Sequence, residues 1–166
     1  MLLGHLATPD LGPVENRLVA SYLGWGMRPE GTMRAIPLGA KGRFTFIVEP
    51  RHLASQFKDA MLPPVLATPM MIMAMENAAL NAIRDYLEPG ETAVGTAVDV
   101  RHAAATPAGQ RVTSDAEVTH VEGRRIVFSV TARDEVEEIG KGIHERMVIN
   151  VHRLNQRLAA KTEGER

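Results

Sequence analysis

Residues 68–83 read TPMMIMAMENAALNAI, and this stretch decides the fold because its apolar side chains recur with the period of an α-helix. The segment LEPGE that follows contains Pro89 and Gly90, which end a helix. The sequence therefore predicts a helix over residues 68–87 that is made to be buried. A single carboxylate, Glu76, stands in its middle.

Glu76 lies outside the polar face of this predicted helix. At about 100° per residue, one arc collects the polar side chains Asn77, Asn81, Arg84 and Asp85. The neighbours of Glu76 one turn away are instead apolar: Ile72, Ala79, Leu80 and Ile83. A carboxylate among them is either paired or desolvated, as a working acid or base is. Alternatively, Glu76 has a structural role: it reaches the rim of the core or accepts a hydrogen bond from a buried backbone group. The pattern leaves the catalytic and the structural interpretation open.

The pattern changes to a period of two after the helix. Four segments alternate in this way, residues 92–102, 110–120, 124–134 and 142–152, and residues 43–50 form an earlier strand that ends at Pro50. The segment VEGRR predicts a hairpin between the middle pair. In residues 110–120 one face is apolar and the other polar, which is typical of an antiparallel sheet covered on one side. The predicted helix is the element that covers it, and residues 55–67 between strand and helix are expected to form a loop.

His102 ends the apolar face of its strand, because it alternates with Asp99 and Arg101 and therefore points towards the helix. Alternatively it is a histidine at the core edge, bonded to a carbonyl. Thr68, taken alone, is expected to be the N-cap of the helix. His144 and His152 are placed in a strand without carboxylates at ligand spacing, so we predict no metal site.

Composition narrows the class of protein. The chain has 166 residues, of which 45% are hydrophobic and 23% charged, as expected for an ordinary globular domain. A formal net charge of -1 argues against nucleic acid or an anionic membrane as a partner. The absence of cysteine excludes disulfides, thiolate zinc sites and a cysteine nucleophile.

The two ends of the chain differ in character. Residues 1–40 are rich in Gly and Pro without a sustained period and are expected to be an irregular N-terminal arm, with the main domain over residues 41–166. We see no signal peptide and no apolar segment of the roughly 20 residues that span a bilayer, so a cytoplasmic location is expected.

Residues 41–161 resemble the fluoroacetyl-CoA thioesterase family of hotdog-fold proteins. The segments that carry the resemblance follow one another in order, nearly without gaps over the second half: ATPMMIMAMENAALNAIRDYLEPGE, GTAVDVRHAAATPAGQRVTSDAEV, VEGRRIVFSVTARDEVEEIGKGIHERMVI and LNQRLAAKT. Residues 1–40 lie outside it. The resemblance implies an α+β hotdog fold, in which an antiparallel sheet wraps around a long central helix. It also implies a homodimer with an acyl-CoA pocket near the subunit interface and no cofactor.

The same resemblance implies roles for individual residues. The family's catalytic set falls on Thr68, Glu76 and His102, and its acyl-pocket residues fall on Gly95 and Arg146. The implied activity is hydrolysis of short acyl-CoA thioesters to free acid and CoA, with Glu76 attacking the acyl carbon or activating water. The alternatives are a hotdog hydratase and a non-catalytic acyl-CoA-binding protein. The local sequence leaves an alternative interpretation open for each pocket residue. Gly95 is then a bulge in its strand, and Arg146 is a solvated arginine.

The sequence departs from the family in the segment that precedes Thr68. Here it reads DAMLPPVLAT, with Leu62 where the resemblance places a phenylalanine of the substrate lid. An aliphatic lid has a different shape, so we expect a different acyl selectivity. The fold and the general chemistry do not depend on this residue.

Overall fold

The computed structural model describes residues 33–163, so most of the predicted arm lies outside the described residues. Residues 33–40 contain no regular helix or strand, yet Ile36 is part of the buried core. Arg34 also pairs with Glu88 at 3.1 Å. The last residues of the predicted arm are therefore packed on the domain.

Five strands form one antiparallel sheet: β1 Lys41–Ile47, β2 Glu91–His102, β3 Arg111–Glu122, β4 Arg125–Arg133 and β5 Glu138–Asn150. Their spatial order is β1-β3-β4-β5-β2, so β1 and β2 are the edge strands. The predicted hairpin joins β3 to β4, and Gly123 at its turn has a φ of 56°, which glycine adopts without the steric cost of a side chain. The five predicted strands are confirmed, but β1 ends at Ile47 and not at Pro50, and β5 spans Glu138–Asn150 and not residues 142–152.

Within residues 33–163, three α-helices accompany the sheet: α1 Ala54–Phe57, α2 Thr68–Ile83 and α3 Val151–Glu163. The predicted loop over residues 55–67 is wrong at its start, because local bonds from Phe57 N to Leu53 O and from Lys58 N to Ala54 O form the single turn of α1. His152, which was predicted to end the last strand, lies in α3. The sequence pattern assigned no element to the rest of this helix. Nearly all of its described side chains are exposed, and its apolar residues Val151, Leu154 and Leu158, although they recur at helical spacing, are not part of the buried core.

Helix α2 covers one face of the sheet, as predicted, and a short 3₁₀ turn over Arg84–Tyr86 extends it. The side chains that it buries are Met71, Ala74, Met75, Ala78, Ala79, Ala82 and Ile83. On β3 the alternation is also confirmed, because the side chains that face the helix are all buried: Val112, Ser114, Ala116 and Val118. The described residues, 33–163, include no helix with the length and apolarity needed to cross a membrane.

Helix α2 approaches β1 most closely at Gly42. A Cβ atom built on Gly42 would overlap the carbonyl oxygen of Ala78 and the backbone of Ala82. The backbones of strand and helix are therefore in direct contact, which only a glycine opposite small side chains permits.

We predict that Gly42→Ala lowers the free energy of unfolding by about 1–3 kcal/mol, because the added methyl group forces helix and strand apart. Urea unfolding followed by circular dichroism measures this. Ser129→Ala, on the exposed face of β4, is the control and should change stability by less than about 0.5 kcal/mol. An unchanged Gly42→Ala protein would contradict the close approach.

Candidate active site

Thr68 and His102 form a pair at the N-terminal end of α2. Thr68 Oγ1 lies 3.0 Å from Nδ1 of His102, the last residue of β2. The N-cap residue of the helix is Ala67, and no side chain caps this end, so the interpretation of Thr68 as an N-cap is wrong. The Thr68 hydroxyl is instead directed at an imidazole.

His102 is half-buried, and this burial lowers its pKa from the usual value near 6.5, with the Ala104 backbone acting in the opposite direction. The imidazole is therefore uncharged at neutral pH. Its Nε2 atom is buried and, within residues 33–163, has no hydrogen-bond partner. One ring nitrogen thus contacts the threonine hydroxyl, and the other makes no hydrogen bond to a polar group of the described residues.

Glu76 lies two turns further along α2 and faces strands β2 and β5. Its Oε1 atom is 3.8 Å from Nε2 of His144, and its side chain is 38% exposed. A Cβ atom at Gly95 would overlap the same carboxylate oxygen, so the carboxylate lies directly over the backbone of β2. Glu76 is therefore at the rim of the core, as one of the two interpretations expected, and Gly95 gives it room.

Arg146 on β5 is buried beside Glu76, so the interpretation of a solvated arginine is wrong. Its Nη1 donates to the Glu76 carbonyl oxygen at 3.1 Å and to His144 Nε2 at 3.2 Å, and its Nη2 donates to the Ala93 carbonyl oxygen at 2.6 Å. Burial lowers the pKa of Arg146, and the negative charge of Glu76 opposes that effect. Since a guanidinium stays protonated in proteins, a fixed positive charge lies next to the glutamate.

His144 is a member of this cluster that the sequence analysis considered only as a metal ligand. Its ring is 1% exposed, is stacked on Phe128 with centroids 6.2 Å apart, and donates from Nδ1 to the Ala97 carbonyl oxygen at 2.8 Å. A signal was available in the sequence. His144 precedes Arg146 by two residues on a strand, which puts both side chains on one face.

Gly95 and Leu62 complete the predicted set. The pairing of β2 with β5 shifts between Gly95 and Ala97, so the alternative of a strand bulge is confirmed alongside the close approach of Glu76. Leu62 lies in the turn between α1 and α2, where its amide donates to the Asp59 carbonyl oxygen, and its side chain is 36% exposed. It belongs to neither cluster.

The predicted residues thus form two groups rather than one. Thr68 and His102 lie at the start of α2, whereas Glu76 lies with Gly95, His144 and Arg146. Thr68 and Glu76 are separated by eight residues of continuous helix, which is about 12 Å at a rise of 1.5 Å per residue. One chain alone therefore does not bring the hydroxyl and the carboxylate together. Over the described part of the chain, no three His, Cys, Asp or Glu side chains are grouped as a metal site requires.

Comparison with known proteins identifies relatives of the whole domain. The family model of the fluoroacetyl-CoA-specific thioesterase matches residues 48–152. The fluoroacetyl-CoA thioesterase of Streptantibioticus cattleyicolor is 47% identical over 127 residues, which are 72% of this chain and 91% of that protein.

Solved structures agree with this assignment. A crystal structure of the fluoroacetyl-CoA thioesterase has a TM-score of 0.73 at 41% identity and covers 76% of this chain and 98% of its own. A thioesterase superfamily member from Thermus thermophilus has a TM-score of 0.73 at 32% identity, over 80% of this chain and 99% of its own. The curled antiparallel sheet around α2 is the hotdog fold, and the chain belongs to the fluoroacetyl-CoA-specific thioesterase family.

Proposed function

We propose that this protein is an acyl-CoA thioesterase that hydrolyses short acyl-CoA thioesters to a free acid and CoA. The observation that carries the proposal is the carboxylate of Glu76 lying over Gly95 beside the buried charge of Arg146. Thioester hydrolysis needs a nucleophile or base together with donors for the developing oxyanion, and these are the groups that the cluster contains. Membership of a thioesterase family supports the same reaction.

Glu76 supplies the reactive oxygen in this proposal. Its carboxylate either attacks the acyl carbon, forming an anhydride that water then cleaves, or removes a proton from an attacking water molecule. In both routes the carbon–sulfur bond breaks and CoA leaves as a thiol after taking up a proton. Arg146 stabilises negative charge on the acyl group, because a fixed cation in a buried site acts on that charge more strongly than one in water.

The Thr68–His102 pair handles protons in this proposal, and it reaches Glu76 from a second subunit. Strand β2 is an edge strand on which Val98 is 42% exposed, and the two charges between residues 95 and 102, those of Asp99 and Arg101, are of opposite sign. The other edge, β1, carries Lys41 and Arg43, which blunt an edge against pairing. We therefore propose a homodimer in which β2 pairs with the same strand of a second copy.

Two-fold pairing of β2 would complete the site. Gly95 and His102 are equally far along the strand from a point between Val98 and Asp99. An antiparallel pair with its two-fold axis there puts the partner's His102 opposite Gly95, and hence near Glu76. The buried Nε2 atom of His102, which lacks a partner in residues 33–163, would then face a carboxylate.

Substrate range is proposed from the lid. The segment before α2 exposes three apolar side chains, those of Phe57, Met61 and Leu62. We propose that this segment covers the acyl group, as the resemblance implies. An aliphatic side chain at position 62 is more flexible than an aromatic ring and does not form a flat wall of the pocket. We therefore propose that the pocket accepts several short acyl groups. The cytoplasmic location expected from the sequence stays a prediction.

Glu76→Gln is predicted to abolish most turnover while leaving the fold intact. The amide keeps the shape of the side chain but cannot attack or accept a proton, so kcat for the best short acyl-CoA should fall by about 10²-fold to 10⁴-fold. Release of free thiol, followed with a chromogenic reagent across acyl-CoA chain lengths, measures this. The unfolding free energy should change by less than about 1 kcal/mol, since the side chain is only partly buried.

The control for this variant is Glu117→Gln, the same chemical change on the exposed face of β3. It should leave kcat unchanged. Near wild-type hydrolysis by Glu76→Gln would refute the assigned role. If the wild type hydrates enoyl-CoA without releasing thiol, or binds acyl-CoA without turnover, then the hydratase or the binding protein is the correct alternative.

Leu62→Phe is predicted to narrow the range of substrates. A ring at this position restores a flat wall, and discrimination by one methylene or one halogen in an apolar pocket amounts to about 1–3 kcal/mol. Values of kcat/KM for acetyl-, fluoroacetyl-, propionyl- and butyryl-CoA should therefore differ more from one another, a wider spread, in the variant than in the wild type. Val136→Phe adds the same ring at a site that is 73% exposed, in the turn between β4 and β5 and outside the lid segment, and should not change the spread. A wild type that is already strongly selective for fluoroacetyl-CoA would show that position 62 does not set selectivity.

A further inference from the structure

The hydrogen bonds of His144 determine which of its ring nitrogens carries the proton. Nδ1 lies 2.8 Å from the carbonyl oxygen of Ala97, which can only accept, so Nδ1 must be protonated. Nε2 lies 3.2 Å from Nη1 of Arg146, which can only donate, so Nε2 must be unprotonated. Both contacts are satisfied by a single state, the neutral imidazole with its proton on Nδ1.

Because His144 is neutral in this state, its contact with Glu76 is not an ion pair. The two side chains are 3.8 Å apart, but a neutral imidazole with a lone pair on Nε2 forms no ion pair with a carboxylate. Burial lowers the pKa of His144, and the hydrogen bond to the Ala97 carbonyl acts in the opposite direction. The Arg146 charge also lowers this pKa, whereas Glu76 and Glu145 raise it by smaller amounts. The ring is therefore an acceptor for Arg146 and not a proton shuttle for Glu76.

The acceptors of Arg146 are all uncharged. They are the carbonyl oxygens of Glu76 and Ala93 and the imidazole of His144. Among the described residues, no carboxylate oxygen lies within ion-pair distance of the guanidinium, and its buried Nε has no acceptor. A carboxylate at position 144 would hold Arg146 equally well but would neutralise it. A neutral acceptor fixes the orientation and leaves the positive charge to act on a ligand.

We propose that His144 is a positioning residue: its Nε2 lone pair orients the Arg146 guanidinium towards the Glu76 carboxylate and the acyl group, without neutralising the charge. The proposal rests on the proposed thioesterase function for its effect on rate. The tautomer and the contact with Arg146 do not depend on that function.

Two substitutions separate the two hydrogen bonds of His144. In His144→Gln the amide oxygen can take the place of Nε2 and accept from Arg146, whereas the donor to Ala97 is lost. In His144→Asn the amide nitrogen can take the place of Nδ1 and donate to Ala97, whereas the acceptor for Arg146 is lost. The two variants also remove the same ring from its stack on Phe128.

We expect kcat to fall about 10- to 100-fold further in His144→Asn than in His144→Gln, which is the effect of one hydrogen bond to a charged group. KM should differ little, because the charge acts on the transition state. The reverse order would show that His144 acts by bracing the Ala97 backbone and would overturn the proposal. Equal losses in the two variants, or no loss in either, would overturn it as well.

A double-mutant cycle tests whether His144 acts through Arg146. In an Arg146→Gln background, His144→Asn should lower kcat less than about 3-fold, because the group that it orients is already absent. A loss as large as in the wild-type background would contradict positioning.

The ring nitrogens can also be observed without any turnover. Long-range ¹H–¹⁵N correlation spectra at pH 7, assigned with His144→Gln, should show His144 with Nδ1 protonated and Nε2 unprotonated. The Nε2 shift should change in Arg146→Gln. A proton on Nε2, or an imidazolium, would overturn the proposal. If the wild type hydrolyses no acyl-CoA yet shows this tautomer, the proposed function fails and the orientation of Arg146 by His144 stands.

Discussion

The length of helix α2 between Thr68 and Glu76 constrains everything else in the site. A continuous helix cannot shorten, so the backbone positions of Thr68 and Glu76 stay about 12 Å apart along the helix axis of one chain. Close packing against the sheet, with Gly42 in contact with the helix backbone, holds the helix in place. We propose that a site using both residues takes them from different copies of α2. The β2 edge over residues 95–102 is the surface on which we propose that the copies meet.

A second constraint is the burial of a positive charge. Arg146 is 7% exposed, and removing a charge from water costs free energy unless hydrogen bonds replace the lost hydration. Three uncharged acceptors supply that replacement, while Glu76 adds a favourable charge at longer range. In this arrangement the electric field of the guanidinium remains directed at the carboxylate and its surroundings. An enzyme of acyl transfer needs a fixed field of this kind where negative charge develops.

The sequence predicted the fold well because the fold depends on periodicity. The apolar stripe of α2 and the alternation in β3 are both confirmed, since burial of one face of a helix or strand makes apolar residues recur at its period. Helix α3 was not predicted, although Val151, Leu154 and Leu158 recur at helical spacing, because the alternation of the preceding strand continues through its first two residues. Thr68, Glu76 and His102 were singled out by position on helix or strand and by family resemblance. The spacing of Thr68 and Glu76 on one helix already separates them, but the side chains that each of them contacts followed only from the folded chain.

His144 shows a different limit of sequence reasoning. A histidine on a strand can be a ligand, a base or a core side chain, and its role depends on atoms that are distant in sequence. The tautomer is set by the carbonyl oxygen of Ala97, 47 residues away. The Nε2 lone pair accepts a hydrogen bond from Arg146, two residues further along the strand. The spacing to Arg146 could have predicted a shared face, but not the direction of the hydrogen bonds.

Subunit mixing tests the central claim, that each site takes Glu76 from one chain and His102 from the other. Glu76→Gln and His102→Ala chains with different affinity tags can be expressed together and the heterodimer isolated. Light scattering should show a dimer. The account predicts that both homodimers are nearly inactive, whereas the heterodimer has one site with both residues intact and recovers about half of wild-type kcat per dimer. A heterodimer no more active than the better homodimer, or an active monomer, would contradict it.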